Sequence, residues 1–244
     1  GYKRLLVRGV DVKLVQTIAL QEQDTALPTS NAVMVALFLG LYLLLGTFVS
    51  GLSIAIDSSA GERERHVLEM LLCQPISTLK IVLAKLTCAS SISILSVSLM
   101  IVLTTLSVGF IDLTKIGATF SLDLSSIMSL LFLLMPLCFF ASALQLFFSF
   151  QAKSFKEAQS TVSMLIMLPA LVPVALMMID DKPAWVDWLP ITGHSLLIED
   201  ILKGIPVDWM LMLNTTAITI FITLALVMAI AQKLKSEKVV MSLS

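Results

Sequence analysis

Charge is scarce in this sequence. Lys, Arg, Asp and Glu make up 14% of its 244 residues, where a soluble domain carries about 25%. The hydrophobic share is 57% and the mean hydropathy +0.97. One core could not hide that much apolar surface from water, so the solvent of this chain is largely lipid. The net charge is −1 and no basic block occurs, which excludes a nucleic-acid partner held by clustered Lys and Arg. Cysteine is equally sparse. Cys73, Cys88 and Cys138 stand apart, with no C-x-x-C and no pairing pattern, so they are expected to be small buried apolar residues rather than a disulfide or a metal framework.

Catalytic patterns are missing too. There is no G-x-x-x-x-G-K-[ST] phosphate loop, no H-E-x-x-H and no G-x-S-x-G turn. The two histidines, His66 and His194, fall on opposite sides of the membrane in the topology below, and no acid or histidine lies deep in a span. No metal site, bound cofactor or enzyme activity is expected. Internal repeats and midplane ionisable groups, which a secondary transporter would need, are not visible.

What is present are long apolar runs. A bilayer core about 30 Å thick takes roughly 20 helical residues. Residues 33–56, 81–108, 124–150, 160–179 and 209–231 meet that length. They are continuous rather than alternating, which excludes barrel strands. The expected fold is all-α, with five spans in a transmembrane domain covering 31–244. Lys85, one turn inside the second span, is expected to snorkel to the interface.

Basic residues give the orientation. Arg63, Arg65, Lys80, Lys85, Lys153, Lys156, Lys233, Lys235 and Lys238 lie in or beside one set of loops and the C-terminal tail. The alternate loops hold only Lys115, Lys182 and Lys203, among eight acids. The first set is read as cytoplasmic, in the inner membrane of a cell. Trp185, Trp188 and Trp209 border the other face, as an interfacial belt would. This places Gly1 outside although residues 1–30 carry Lys3, Arg4, Arg8 and Lys13 without a signal peptide. The expectation is that residues 1–30 are the tail of an external domain, preceded by a further span.

The loop after the first span reads as a short helix over 62–72. Ser59 and Glu62 have capping-box spacing, Val67, Leu68, Leu71 and Leu72 share a face, and Pro75 ends the segment. Such a helix could lie on lipid, pack on the chain's own loops, or dock a cytoplasmic partner. A second short helix is expected over 190–204, dipping into the opposite leaflet and ended by Gly204.

Three segments carry a resemblance. Residues 60–85 resemble the A-G-E-[KR]-E-R-x-T-L-E-x-L-L-x-x-P-[VIL]-[ST]-R-x-E-I-x-x-G-K stretch of NatB-like ABC exporter permeases, matching at Ala60 to Arg65, Leu68, Glu69, Leu71, Leu72, Pro75, Ile76, Ser77, Ile81 and Lys85. Val67, Thr78, Lys80 and Ala84 depart from it. Residues 153–159 resemble the family's R-[ST]-x-K-E-A-Q loop. Residues 189–204 resemble its I-P-x-x-N-x-x-L-L-x-x-x-L-L-x-G segment, without the usual Asn and with His194 next to its position. The resemblance implies a permease that pairs with a second copy of itself and with cytoplasmic ATPase subunits, which bind the ATP and Mg. It implies that Glu62, Arg63, Arg65, Leu68, Glu69, Leu71, Pro75, Lys156 and Glu157 couple to the ATPase. Sodium efflux is the activity of the namesake family, while relatives are assigned drugs, peptides and lipids. A membrane scaffold or receptor subunit without transport is the reading from another class.

Polar residues inside the spans are few: Gln145, Asn214, Thr216, Thr219, Thr223 and the serines of the second span. They are read either as a hydrophilic substrate path or as helix-packing hydroxyls. Gly46/Ser50 and Thr47/Gly51 are pairs that let another helix approach. Pro136, Pro169 and Pro173 are expected to break hydrogen bonding within their spans.

Overall fold

Hydrocarbon offers a peptide group no partner, so each apolar run closes its own backbone hydrogen bonds and becomes a helix. The computed structural model describes residues 30–110, 123–179 and 183–243. Among these residues there is no strand, and five helices are long and apolar enough to cross a membrane. The expected tail over 1–30 lies outside the described residues.

The first span comprises α1 (Ser30–Ser50) and α2 (Leu52–Ile56), with a hitch at Gly51. It runs on through one wide π-turn, Asp57–Gly61, into α3 (Glu62–Glu64). After a break comes α4 (Val67–Leu72), then the second span α5 (Thr78–Phe110). The third span, α6 (Leu124–Ser149), is capped by Asp123 and passes through Pro136 without interruption. The fourth is split into α7 (Phe155–Leu165) and α8 (Met167–Met177). Its break precedes Pro169, which has no N–H to continue the ladder. A 3₁₀ turn at Ala184–Trp188 leads into α9 (Thr192–Leu202), and α10 (Trp209–Leu243) closes the chain.

Two ends differ from the sequence expectation. The fourth span begins at Phe155, not near 160, because Ser154 caps it: Glu157 N donates to Ser154 Oγ at 3.3 Å and Lys153 N donates to Glu157 Oε2 at 2.9 Å. The last helix continues past residue 231 to Leu243. Lys, Ser and Glu there contain no helix breaker, and Leu234 is buried.

α6 is the central helix, packed on α10, α5, α1 and α9. Leu43, Leu44 and Phe48 of α1 meet Val97 and Ile101 of α5, Leu133 and Leu137 of α6, and Leu197 of α9 in one core. A second core lies toward the end carrying the basic loops, hereafter the basic end. There Leu68 and Leu72 pack with Ile81, Val82, Leu146, Phe150, Val227, Ile230 and Leu234. Gly46 gives room for Met100 of α5, so the small residues of the first span serve contact within this chain.

At the opposite, acidic end, α9 ends as the sequence indicates. Gly204 has φ +70, its N–H donates to Ile201 O, and Ile205 N donates to Asp200 O at 2.9 Å, which closes the last turn. Leu197, Ile201 and Leu202 are buried. The cysteines depart from expectation: Cys138 is buried, but Cys73 and Cys88 are exposed.

Candidate functional site

The basic end gathers three separate stretches into one assembly. The helix of the first span overshoots into it as far as Glu64. At Arg65 the backbone leaves helical geometry (φ −88, ψ 5), and His66 takes the left-handed conformation at φ 59. That conformation costs a non-glycine residue roughly 1–2 kcal/mol. It reverses the chain so that α4 can lay Leu68 and Leu72 against α5 and α10.

This corrects the reading of 62–72 as one capped helix. Ser59 caps nothing, because the chain before it is already helical. Its hydroxyl instead contacts the Ala55 carbonyl and Ser149 Oγ, both at 2.5 Å. Arg63, expected to couple to a partner, is engaged within the chain. Its Nη2 donates to the Phe150 carbonyl at 3.1 Å and to Glu237 of α10 at 3.1 Å. Glu62 pairs with Lys85, which is 8% exposed, so Lys85 finds a carboxylate within the chain rather than snorkelling. Leu68 is 1% exposed and belongs to the chain's own core.

Further ties complete the assembly. Phe155 N donates to Glu64 Oε2 at 2.6 Å, joining the two loops, and Arg65 Nη1 donates to Asp57 Oδ1 at 2.9 Å. Lys238 Nζ reaches the carbonyls of Gln74 and Ile76 at 2.8 and 3.0 Å. Segment 57–76, the 150–157 loop and the end of α10 are therefore held together from several sides. Glu157 serves the cap of α7; Lys156 is exposed beside it, as is Pro75. Over this frame the outward face of α4 presents Val67, Glu69 and Met70, with Leu71 half-buried. Sequence reasoning put Val67 on one face with Leu68 and Leu72, whereas it stands 41% exposed on the outer side, and it gave no site role to Glu64, Met70, Glu237 or Lys238. The local signal for the last two was a charged helix continuing an apolar one.

The five residues expected to line a path, Gln145, Asn214, Thr216, Thr219 and Thr223, do not converge on one site. Gln145 Nε2 donates to the Phe48 carbonyl, tying α6 to α1. Thr219 and Thr223 return their hydroxyls to the carbonyls one turn back, at 2.7 Å each. Thr216 and Thr223 border a groove of about 470 Å³ between α5, α6 and α10, with Leu83, Phe132, Met135, Pro136 and Ile220. Asn214 is half-buried near the start of α10. Among the described residues no group of three His, Cys, Asp or Glu could hold a metal ion.

At the acidic end the carboxylates do capping work. Asp123 accepts from Ser126 N at 3.1 Å and from the Ser125 and Ser126 hydroxyls, which hold its carboxyl below the usual range. Asp208 Oδ1 accepts from Met210 N and Leu211 N at the start of α10. Partial burial, then Glu199 next to it, pushes Asp200 up. Glu199 is itself paired with Lys203.

Among the described residues, five helical spans, three buried apolar clusters and a many-sided basic-end assembly define a polytopic helical membrane protein with a built surface at one end. The chain belongs to the ABC-2 transporter family, matching the family described as ABC-2 family transporter protein over residues 8–231. It is 31% identical over 171 residues to the ABC transporter permease protein NatB of Bacillus subtilis strain 168, covering 68% of this chain and 44% of that protein. The chain thus spans less than half the length of this relative. No solved structure matches it.

Proposed function

We propose that this chain is the membrane-spanning permease subunit of an ATP-driven exporter, with its basic end in the cytoplasm. A separate ATPase, which binds the ATP and Mg, docks there, and a second copy of the permease completes the pore. The observation that carries this reading is α4. Its inner face is locked into the bundle through Leu68 and Leu72, while Val67, Glu69 and Met70 stand exposed on the outer face. A surface helix whose flanking segments are tied down, by Arg63 and Glu64 before it and by Lys238 after it, transmits a push to α5 and α10 instead of yielding to it.

The docking contact is therefore assigned to Met70 and Val67, in place of Leu68. A Met70→Asp variant puts a carboxylate into the contact, a cost of several kcal/mol when fully desolvated without a partner. It should abolish copurification of the ATPase while the permease still reaches the membrane. Unchanged copurification would leave α4 as a membrane-surface helix and sink the reading.

On the cargo, the groove between α5, α6 and α10 favours an apolar or amphipathic molecule over a bare sodium ion. Its lining is almost wholly hydrocarbon, and the Thr223 hydroxyl is committed to Thr219. Sodium efflux rests on the likeness to NatB-type permeases alone. Transport of radioactive sodium and of a fluorescent amphiphile into inverted vesicles separates the two. Sodium uptake without amphiphile uptake would reject the groove as the path.

A further inference from the structure

Hydroxyls inside the spans mostly turn back on their own helix. Thr47 donates to the Leu43 carbonyl, Ser98 to Ile94, Thr105 to Ile101 and Thr219 to Thr215. In hydrocarbon that is the nearest acceptor available. Ser93 and Ser142 behave differently. Both are 0% exposed, and neither hydroxyl has a hydrogen-bond partner. Gln145, 1% exposed, uses Nε2 on the Phe48 carbonyl and leaves Oε1 without a donor.

These groups come from α5 and α6 and meet the first span at its hitch. A Cβ added to Gly51 would lie 2.6 Å from Ser93 Oγ, 3.3 Å from Ser142 Oγ and 3.3 Å from the Ala89 carbonyl oxygen. Gln145 is one turn along α6 from Ser142, and Phe48 is one turn along α1 from Gly51. Polar atoms of α5 and α6 thus lie against the one residue of the α1–α2 joint that has no side chain.

We propose that this joint is a buried hydration site, where ordered water is the ligand. The chemistry matches water closely. Two hydroxyls can donate to it and the Ala89 carbonyl can accept from it, about three bonds being the usual number for a buried water. A cation fits worse, because every oxygen here is neutral and a stripped ion in a low-dielectric interior costs far more than an immobilised water. The position explains why water rather than a direct Ser93–Ser142 bond is suited to the place. Any bend of the first span about Gly51 changes the distances among these oxygens, and a water molecule can follow where a fixed side-chain pair would break.

The test is a high-resolution structure of the full-length protein in lipid, combined with thermal unfolding in sodium and in choline chloride. The expected result is a density peak within hydrogen-bond distance of Ser93 Oγ and Ser142 Oγ, absent in Ser93→Ala/Ser142→Ala, and equal unfolding temperatures in the two salts. Direct bonding of the two hydroxyls with no peak between them would overturn the proposal. So would a peak at metal–oxygen distance accompanied by a stabilising shift in sodium, which would make the ligand a cation.

Discussion

His194 shows how far a buried position can change one side chain. It is 0% exposed, and neither ring nitrogen makes a well-formed hydrogen bond. Burial drives its pKa down to about 3, against a weaker opposing effect of the Leu133 backbone. In the unfolded chain the imidazole titrates near its ordinary 6.5. Between those two values the unfolded state binds a proton that the folded state does not, so stability is full above the upper value and falls as pH drops toward the lower. A His194→Asn variant, which keeps a polar side chain of similar reach but does not titrate, should lose this dependence. Its unfolding temperature in detergent should change less between pH 7.5 and pH 5 than that of the parent protein. Equal changes in the two proteins would show that His194 is not the group responsible.

At the scale of elements, α4 is held by burial on one side only. Leu68→Ala opens a cavity in the core shared with Ile81 and Leu234, and such changes cost about 2–5 kcal/mol. Met70→Ala, at a position 68% exposed, should stay within about 0.5 kcal/mol. Thermal unfolding of the two variants checks the difference, and equal losses would contradict the packing of α4. The spans themselves were legible in the sequence, because length and hydropathy decide which segments a bilayer can hold. The close of α9 was legible as well, since Gly204 is a local signal for a left-handed turn. Leu68 and Leu72 of the apolar face of α4 could be read, but neither the outward turn of Val67 nor what covers the face, since its partner Leu234 lies far along the chain. The Ser59–Glu62 spacing misled for a related reason. A capping pair marks a helix start only where the preceding residues are not helical, and α2 runs into this one through the π-turn. The pair Ser154 and Glu157 has the same spacing and does cap, because an extended Ser154 precedes it. Of the expected coupling residues, Glu69 stays exposed while Glu62, Arg63 and Leu68 turned inward for partners that only the fold brings near.

Across the whole chain, the proposed coupling to an ATPase requires the basic end to move as one body with α5 and α10. The tie that best isolates this claim is Arg63–Glu237, at 3.1 Å with both side chains 27% exposed. A pair so open to solvent contributes only ~0–1 kcal/mol to stability, so its loss should leave the fold intact and show itself in coupling. The direct measurement is permease-stimulated ATP hydrolysis in proteoliposomes containing the copurified ATPase, for Arg63→Glu, Glu237→Arg and the double reversal. Each single reversal should retain the ATPase but cut the stimulation several-fold, and the double reversal should restore most of it. Singles that couple like the parent protein, or a double reversal no better than either single, would contradict the account.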